Sequence, residues 1–215
     1  MERKSPSQAS VKKDIDSLVN NFLSYAIAKS SAIRRYNTSK VIIDQNDLEH
    51  MGAVTMIAML FSDYFNKIGI SNNTEKVMRI AITHDLDEVV SGDLPHDAKY
   101  ELGEHSEKLR GVLEQLSEST VRTMYGRIRH EDLRRRYLNT YMEQRQRKTI
   151  EAKIAKLADY IDAILYCKNE IRMGNGDLGV VVNSAGKQFD KMLTGILTDY
   201  KNQMALGSAL SNRKA

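Results

Sequence analysis

Cysteine occurs once, proline twice and tryptophan not at all in these 215 residues. The lone Cys167 rules out an internal disulfide and fits a reducing compartment. With so few prolines, long stretches run uninterrupted. They are rich in Ala, Leu, Ile, Met, Lys, Arg and Glu, which favours helices over strands. A bilayer-spanning run is missing as well: the longest largely apolar segment, AVTMIAMLF at 53–61, falls well short of the roughly 20 residues a spanning helix needs. The opening MERKSPSQASVKKD lacks the apolar centre of a signal peptide, so the expectation is a cytoplasmic protein without membrane partners. Charge of neither sign dominates. A formal +4 is mild: it suits an anionic small molecule and would also suit weak nucleic-acid contact.

What is present is ordinary for a globular protein: 41% apolar and 28% charged residues. The length allows one domain with a sizeable core, or at most two small ones. Residues 1–12 read as a flexible polar tail, 13–205 as a single helical domain, and 206–215 as a flexible end. Helical periodicity begins near Asp14, where Ile15, Leu18, Val19, Phe22, Leu23 and Ala26 share a face. After a loop, with a short extended piece at Val41–Ile43, Asn46 or Asp47 caps a helix over 48–67. A third helix is expected over 74–90, ended by the turn-rich SGDLPHDAK. Helices over 104–123, 130–147, 147–173 and 181–205 complete an all-α bundle.

The chemistry concentrates in ITHDLDEVVSGDLP, residues 82–95. One histidine and three carboxylates (His84, Asp85, Asp87 and Glu88) sit within five residues of an apolar stretch. Such charge is costly in a core unless a cation gathers it. At helical spacing His84 and Glu88 continue the inward stripe of Val77, Ile80 and Ala81, with Asp85 at its edge. His50 aligns with Val54, Ile57 and Phe61. Asp159 and Asp162 lie beside the stripe of Ile154, Leu157, Ala158 and Ile161, on a face shared with Ala155 and Tyr166. Three helices therefore each offer ligand chemistry facing inward: His50, the His84–Asp85 pair, and Asp159 or Asp162.

EHMGAVTMIA, HDLDEVVSGDLP and KLADYIDA together resemble the HD-domain metal-dependent phosphohydrolases, whose pattern is a His, a His-Asp pair and a distant Asp. The likeness is strongest to bacterial 5'-deoxynucleotidases and to phage deoxynucleoside-triphosphate hydrolases, and covers roughly residues 20–175. It implies an HD-domain helical bundle. It also implies that His50, His84, Asp85 and Asp159 bind one divalent transition metal (Co, Mn, Zn, Fe or Ni), and it favours Asp159 over Asp162. Mixed imidazole and carboxylate ligands suit such metals better than Mg or Ca.

Glu88 then takes the acid/base role. Arg35, Lys99 and Lys156 match phosphate-binding basic positions, with Arg34 the neighbouring candidate. Tyr36 stands where relatives place an aromatic against the sugar, and several of them have Trp there. Asp93 orders the SGDLP loop or accepts from a sugar hydroxyl. The resemblance implies a deoxynucleotide substrate attacked at the α-phosphate. Cleavage of a monophosphate is favoured, with release of triphosphate from a deoxynucleoside triphosphate as the alternative. A more distant alternative is a non-catalytic nucleotide-binding or nucleic-acid-binding protein. The basic run RIRHEDLRRRY at 127–137 reads as a solvated face or an oligomer contact rather than a nucleic-acid surface, and a homo-oligomer, dimer or higher, is expected.

Overall fold

The computed structural model describes residues 7–94 and 103–211, with side chains to 206. Among them there is no strand, only an isolated bridge between Arg34 and Asn46. Helix α1 (Gln8–Leu18) is capped by Ser7, whose hydroxyl accepts from the Ser10 N–H at 3.2 Å. It runs through a π turn at Val19–Leu23 into α2 (Ser24–Ala32). Helicity thus begins inside the segment expected to be a polar tail.

Helix α3 (Asp47–Lys67) starts on a reciprocal cap. Asn46 Oδ1 accepts from the Glu49 N–H and Glu49 Oε2 accepts from the Asn46 N–H, each at 3.0 Å. Of the two cap candidates Asn46 does the capping, which leaves the Asp47 carboxylate for another task. The same helix ends at Gly69, whose φ of 90° reverses the chain. Ile70 N–H then reaches back to the Phe65 carbonyl at 2.9 Å.

Helix α4 covers Thr74–Thr83, not the longer span its periodicity suggests. Residues 84–87 form a turn, and a short α5 (Glu88–Ser91) follows. Continuing α4 would place Asp85, Asp87 and Glu88 at its C-terminal end, where the helix dipole is already negative. The turn instead gives Glu88 N–H the Asp85 carbonyl at 2.9 Å. Beyond it come α6 (Glu104–Gly126), α7 (Glu131–Gln146), α8 (Ile150–Arg172) and α9 (Gly179–Ser211). Helix α9 runs past the end foreseen near 205. None of the described helices is long and apolar enough to cross a membrane.

The described residues divide into two compact units. The first draws on Met1–Lys40, Asp44–Glu49 and His84–Met142. Its interior includes Phe22, Tyr125 and Tyr137, with the Tyr125 ring centroid 5.5 Å from Phe22 and 5.4 Å from Tyr137. The second comprises Val41–Ile43, His50–Thr83 and Glu143–Ala215. Its core joins Val54, Ala58 and Phe65 of α3, Val77, Ile80 and Ala81 of α4, Ile154, Leu157 and Ala158 of α8, and Ile196 of α9. Long, well-capped helices fastened by such a core give rigid platforms for the polar residues they carry.

Candidate active site

The candidate residues fall on both units, and each group is built within its own. In the second unit His50 occupies the first turn of α3 and is fully buried. Its Nδ1 lies 2.6 Å from Asp162 Oδ2, and its Nε2 lies 3.2 Å from Asp159 Oδ1. Asp159 and Asp162 sit three residues apart on α8 and so face the same way. The short bond to Asp162 fixes a proton on Nδ1 when the ring is neutral, leaving the Nε2 lone pair directed toward the Asp159 side. That is how a metal-binding imidazole is held: one nitrogen tied to a carboxylate, the other offered to the cation. Lys156 pairs with Asp159 and lies over the Tyr160 ring, 4.8 Å from its centroid. Burial acts to lower the Lys156 pKa. The charge and hydrogen bond of Asp159 outweigh it, so the ammonium is held above its ordinary value and is a cation at neutral pH.

In the first unit His84 Nε2 stands 3.2 Å from Asp85 Oδ2. Arg35 Nη1 is also 3.2 Å from that oxygen, and 3.8 Å from Asp47 Oδ1. Asp47, Asp85 and Glu88 bring carboxylate oxygens within 4.8 Å of one another. Ionised together, three carboxylates this close concentrate negative charge beside the Arg35 guanidinium, in a region where Asp47 is fully buried. A divalent cation would balance that excess, and without such compensation the carboxylates would repel. The donor chemistry of both groups therefore fits a metal.

A loop completes the first unit's contribution. Tyr36 has a φ of 55°, a left-handed conformation that a bulky residue keeps only when its surroundings hold it. Asp93 does so, with Oδ2 accepting from the Tyr36 N–H at 3.1 Å. The Asp93 carbonyl accepts from the Asn37 side chain at 2.8 Å. Asp93 thus ties the Tyr36 loop to its own segment. The Arg35 guanidinium lies 5.8 Å from the Tyr36 ring centroid.

A family-level comparison matches residues 21–205 to the 5'-deoxynucleotidase YfbR-like proteins. The chain belongs to that family. Among curated relatives, a 5'-deoxynucleotidase of Vibrio vulnificus is 30% identical over 155 residues, 72% of this chain and 77% of that protein. Another from Shewanella oneidensis is 29% identical over 171 residues, covering 78% and 81%. A crystal structure of an HD-domain phosphohydrolase from Listeria innocua superposes with a TM-score of 0.68 at 22% identity, over 88% of each chain. A Pyrococcus furiosus protein gives 0.64 at 22% identity, over 88% of this chain and 97% of that one. These two share the all-α HD fold. The YfbR-like chain described here is accordingly a metal-binding HD-domain phosphohydrolase, an enzyme.

The sequence alone offers Asp47 only as a cap candidate and Asp162 as the alternative to Asp159. Asp162 is the recoverable one, because it shares a helical face with Asp159. Of the expected site residues, Lys99 lies outside the described residues.

Proposed function

We propose that this enzyme is a metal-dependent 5'-deoxynucleotidase that splits a deoxynucleoside monophosphate into deoxynucleoside and orthophosphate. His50, His84, Asp85 and Asp159 hold one divalent transition metal, drawn from Mn, Fe, Co, Ni and Zn. The observation that carries the reading is the His50 ring, tied at Nδ1 to Asp162 with Nε2 turned toward Asp159. The names of the curated relatives support the substrate class. When bound, the metal supplies Lewis acidity toward phosphate oxygen and a lowered pKa for water.

The chain's own residues do the rest. Arg35, beside Asp85, and Lys156, beside Asp159, present cations to a phosphate dianion. Glu88 lies among the first unit's carboxylates, within reach of water at the proposed metal. It takes a proton from the attacking water and returns one to O5' as the bond from phosphorus to O5' breaks. Tyr36 packs its ring against C2' and offers no partner to a ribose hydroxyl. The match to the 5'-deoxynucleotidases favours a monophosphate over a triphosphate.

A screen of nucleoside mono- and triphosphates with chromatographic identification of products tests this. Orthophosphate from deoxynucleoside monophosphates is the expected result. Inorganic triphosphate from a deoxynucleoside triphosphate, with the monophosphate untouched, would replace it with the triphosphohydrolase reading.

A further inference from the structure

Glu170 is fully buried near the end of α8. Its Oε2 accepts from the Ile42 N–H at 2.8 Å and from the Asn175 side-chain amide at 2.9 Å, while Oε1 accepts from the Ile43 N–H at 2.8 Å. One turn earlier, Tyr166 Oη donates to the Ile43 carbonyl at 2.6 Å. Asp159, Asp162, Tyr166 and Glu170 follow one another at spacings of three and four, so one face of α8 carries them all. Two consecutive main-chain amides on one buried carboxylate, with the next carbonyl bound by a tyrosine, form a clamp on a short stretch of backbone. General packing would not need such pairing.

The clamped stretch is the tip of a closed loop. At the neck of that loop the Asp47 N–H donates to the Ile33 carbonyl at 3.2 Å and the Arg35 N–H to the Gln45 carbonyl at 3.0 Å, with the Arg34–Asn46 bridge between them. This is an Ω-type loop, its ends joined and its tip fastened. Arg35 and Tyr36 are the neck residues from which the chain enters it. The left-handed Tyr36 is held by Asp93 at its N–H, and on its far side the Ser39 N–H donates to the Tyr36 carbonyl at 2.8 Å, within the loop that Glu170 clamps.

We infer that Glu170, assisted by Tyr166, is a positioning residue for the nucleotide. By holding Ile42 and Ile43 it fixes the loop whose neck presents Arg35 to phosphate and Tyr36 to sugar, so that the loop is ordered before substrate arrives. Glu170 touches neither substrate nor metal, and it acts through the loop. The inference rests on the proposed reading that Arg35 and Tyr36 take the nucleotide.

Glu170→Gln tests it, since it keeps the shape and replaces one acceptor oxygen with a donor facing an N–H. Three readouts are taken on the metal-loaded full chain: hydrogen exchange at the Ile42 and Ile43 amides, metal content, and KM against kcat for a deoxynucleoside monophosphate. The expected result is lost amide protection and a KM raised about tenfold, with kcat and metal content retained, the pattern of weakened uniform binding. Tyr166→Phe removes only a hydroxyl and should shift KM the same way by about threefold. It carries the test alone if Glu170→Gln does not fold. Unchanged KM after protection is lost, unchanged protection, or a fall in metal content and kcat together would each overturn the inference. A wild-type protein that hydrolyses no deoxynucleoside monophosphate would instead bring down the nucleotidase reading, a distinct failure visible before any variant is made.

Discussion

Asp162 offers the sharpest perturbation, because it is proposed to act on the metal only through His50. Its carboxylate receives the Nδ1 proton at 2.6 Å inside a site where His50 is fully buried. A hydrogen bond to a charged acceptor contributes about 1.5–3 kcal/mol, roughly twice a neutral one. Asp162→Asn can still turn its amide oxygen toward Nδ1, so it should lose about half of that, on the order of 1–1.5 kcal/mol. Metal affinity should then fall about tenfold. Asp162→Ala leaves a buried N–H unsatisfied and the ring free to turn, so the total loss should rise to about 2–3 kcal/mol, approaching a hundredfold. Titration of the metal-free protein against a competing chelator measures both, and kcat at saturating metal should largely recover. Affinity unchanged within about twofold in folded Asp162→Ala would refute the claim that this carboxylate organises the ligand.

Glu88→Gln should retain metal and bind nucleotide yet lose roughly two or more orders of magnitude in rate; near-normal turnover would reduce Glu88 to structural support. His84→Ala and Asp85→Ala should each lose metal and activity together, as judged by metal analysis of the purified variants. Tyr36 predicts poor ribonucleotide turnover, and equal kcat/KM for a ribonucleotide and its deoxy counterpart would contradict its sugar role. Burial raises the Glu170 pKa, but the Asn175 amide and the Ile42 and Ile43 N–H groups lower it more, so it lies below its ordinary value when folded. Its stabilising contribution is therefore full above the unfolded carboxyl value of about 4.3 and is lost as pH falls through the folded value. Urea unfolding of wild type and Glu170→Gln should show a stability gap that is level above about pH 5 and narrows below about pH 4.

His50 and Asp159 were legible because they sit on long, uninterrupted helices, where spacing alone gives direction. The stripe drawn from Val77 to Glu88 was not reliable in the same way. Helix α4 stops at Thr83, so His84, Asp85 and Glu88 owe their positions to a turn and a short helix that periodicity cannot describe. The HD-domain resemblance adds what spacing cannot, an expected role for each of them. Asp47 was hidden by its place at a helix start, where an acidic residue already has an ordinary reason to be. Glu170 was hidden for another reason. Its partners are main-chain amides more than a hundred residues earlier in the chain, and no side-chain pattern records a bond to backbone.

The most direct test of the account is a metal titration of chelator-treated wild-type protein, followed by orthophosphate release from a deoxynucleoside monophosphate. One equivalent of Mn or Co per chain should bind, and hydrolysis should rise with occupancy and level off at that point. Full hydrolysis in the metal-free protein, or saturated metal with no orthophosphate from any deoxynucleoside monophosphate, would contradict it.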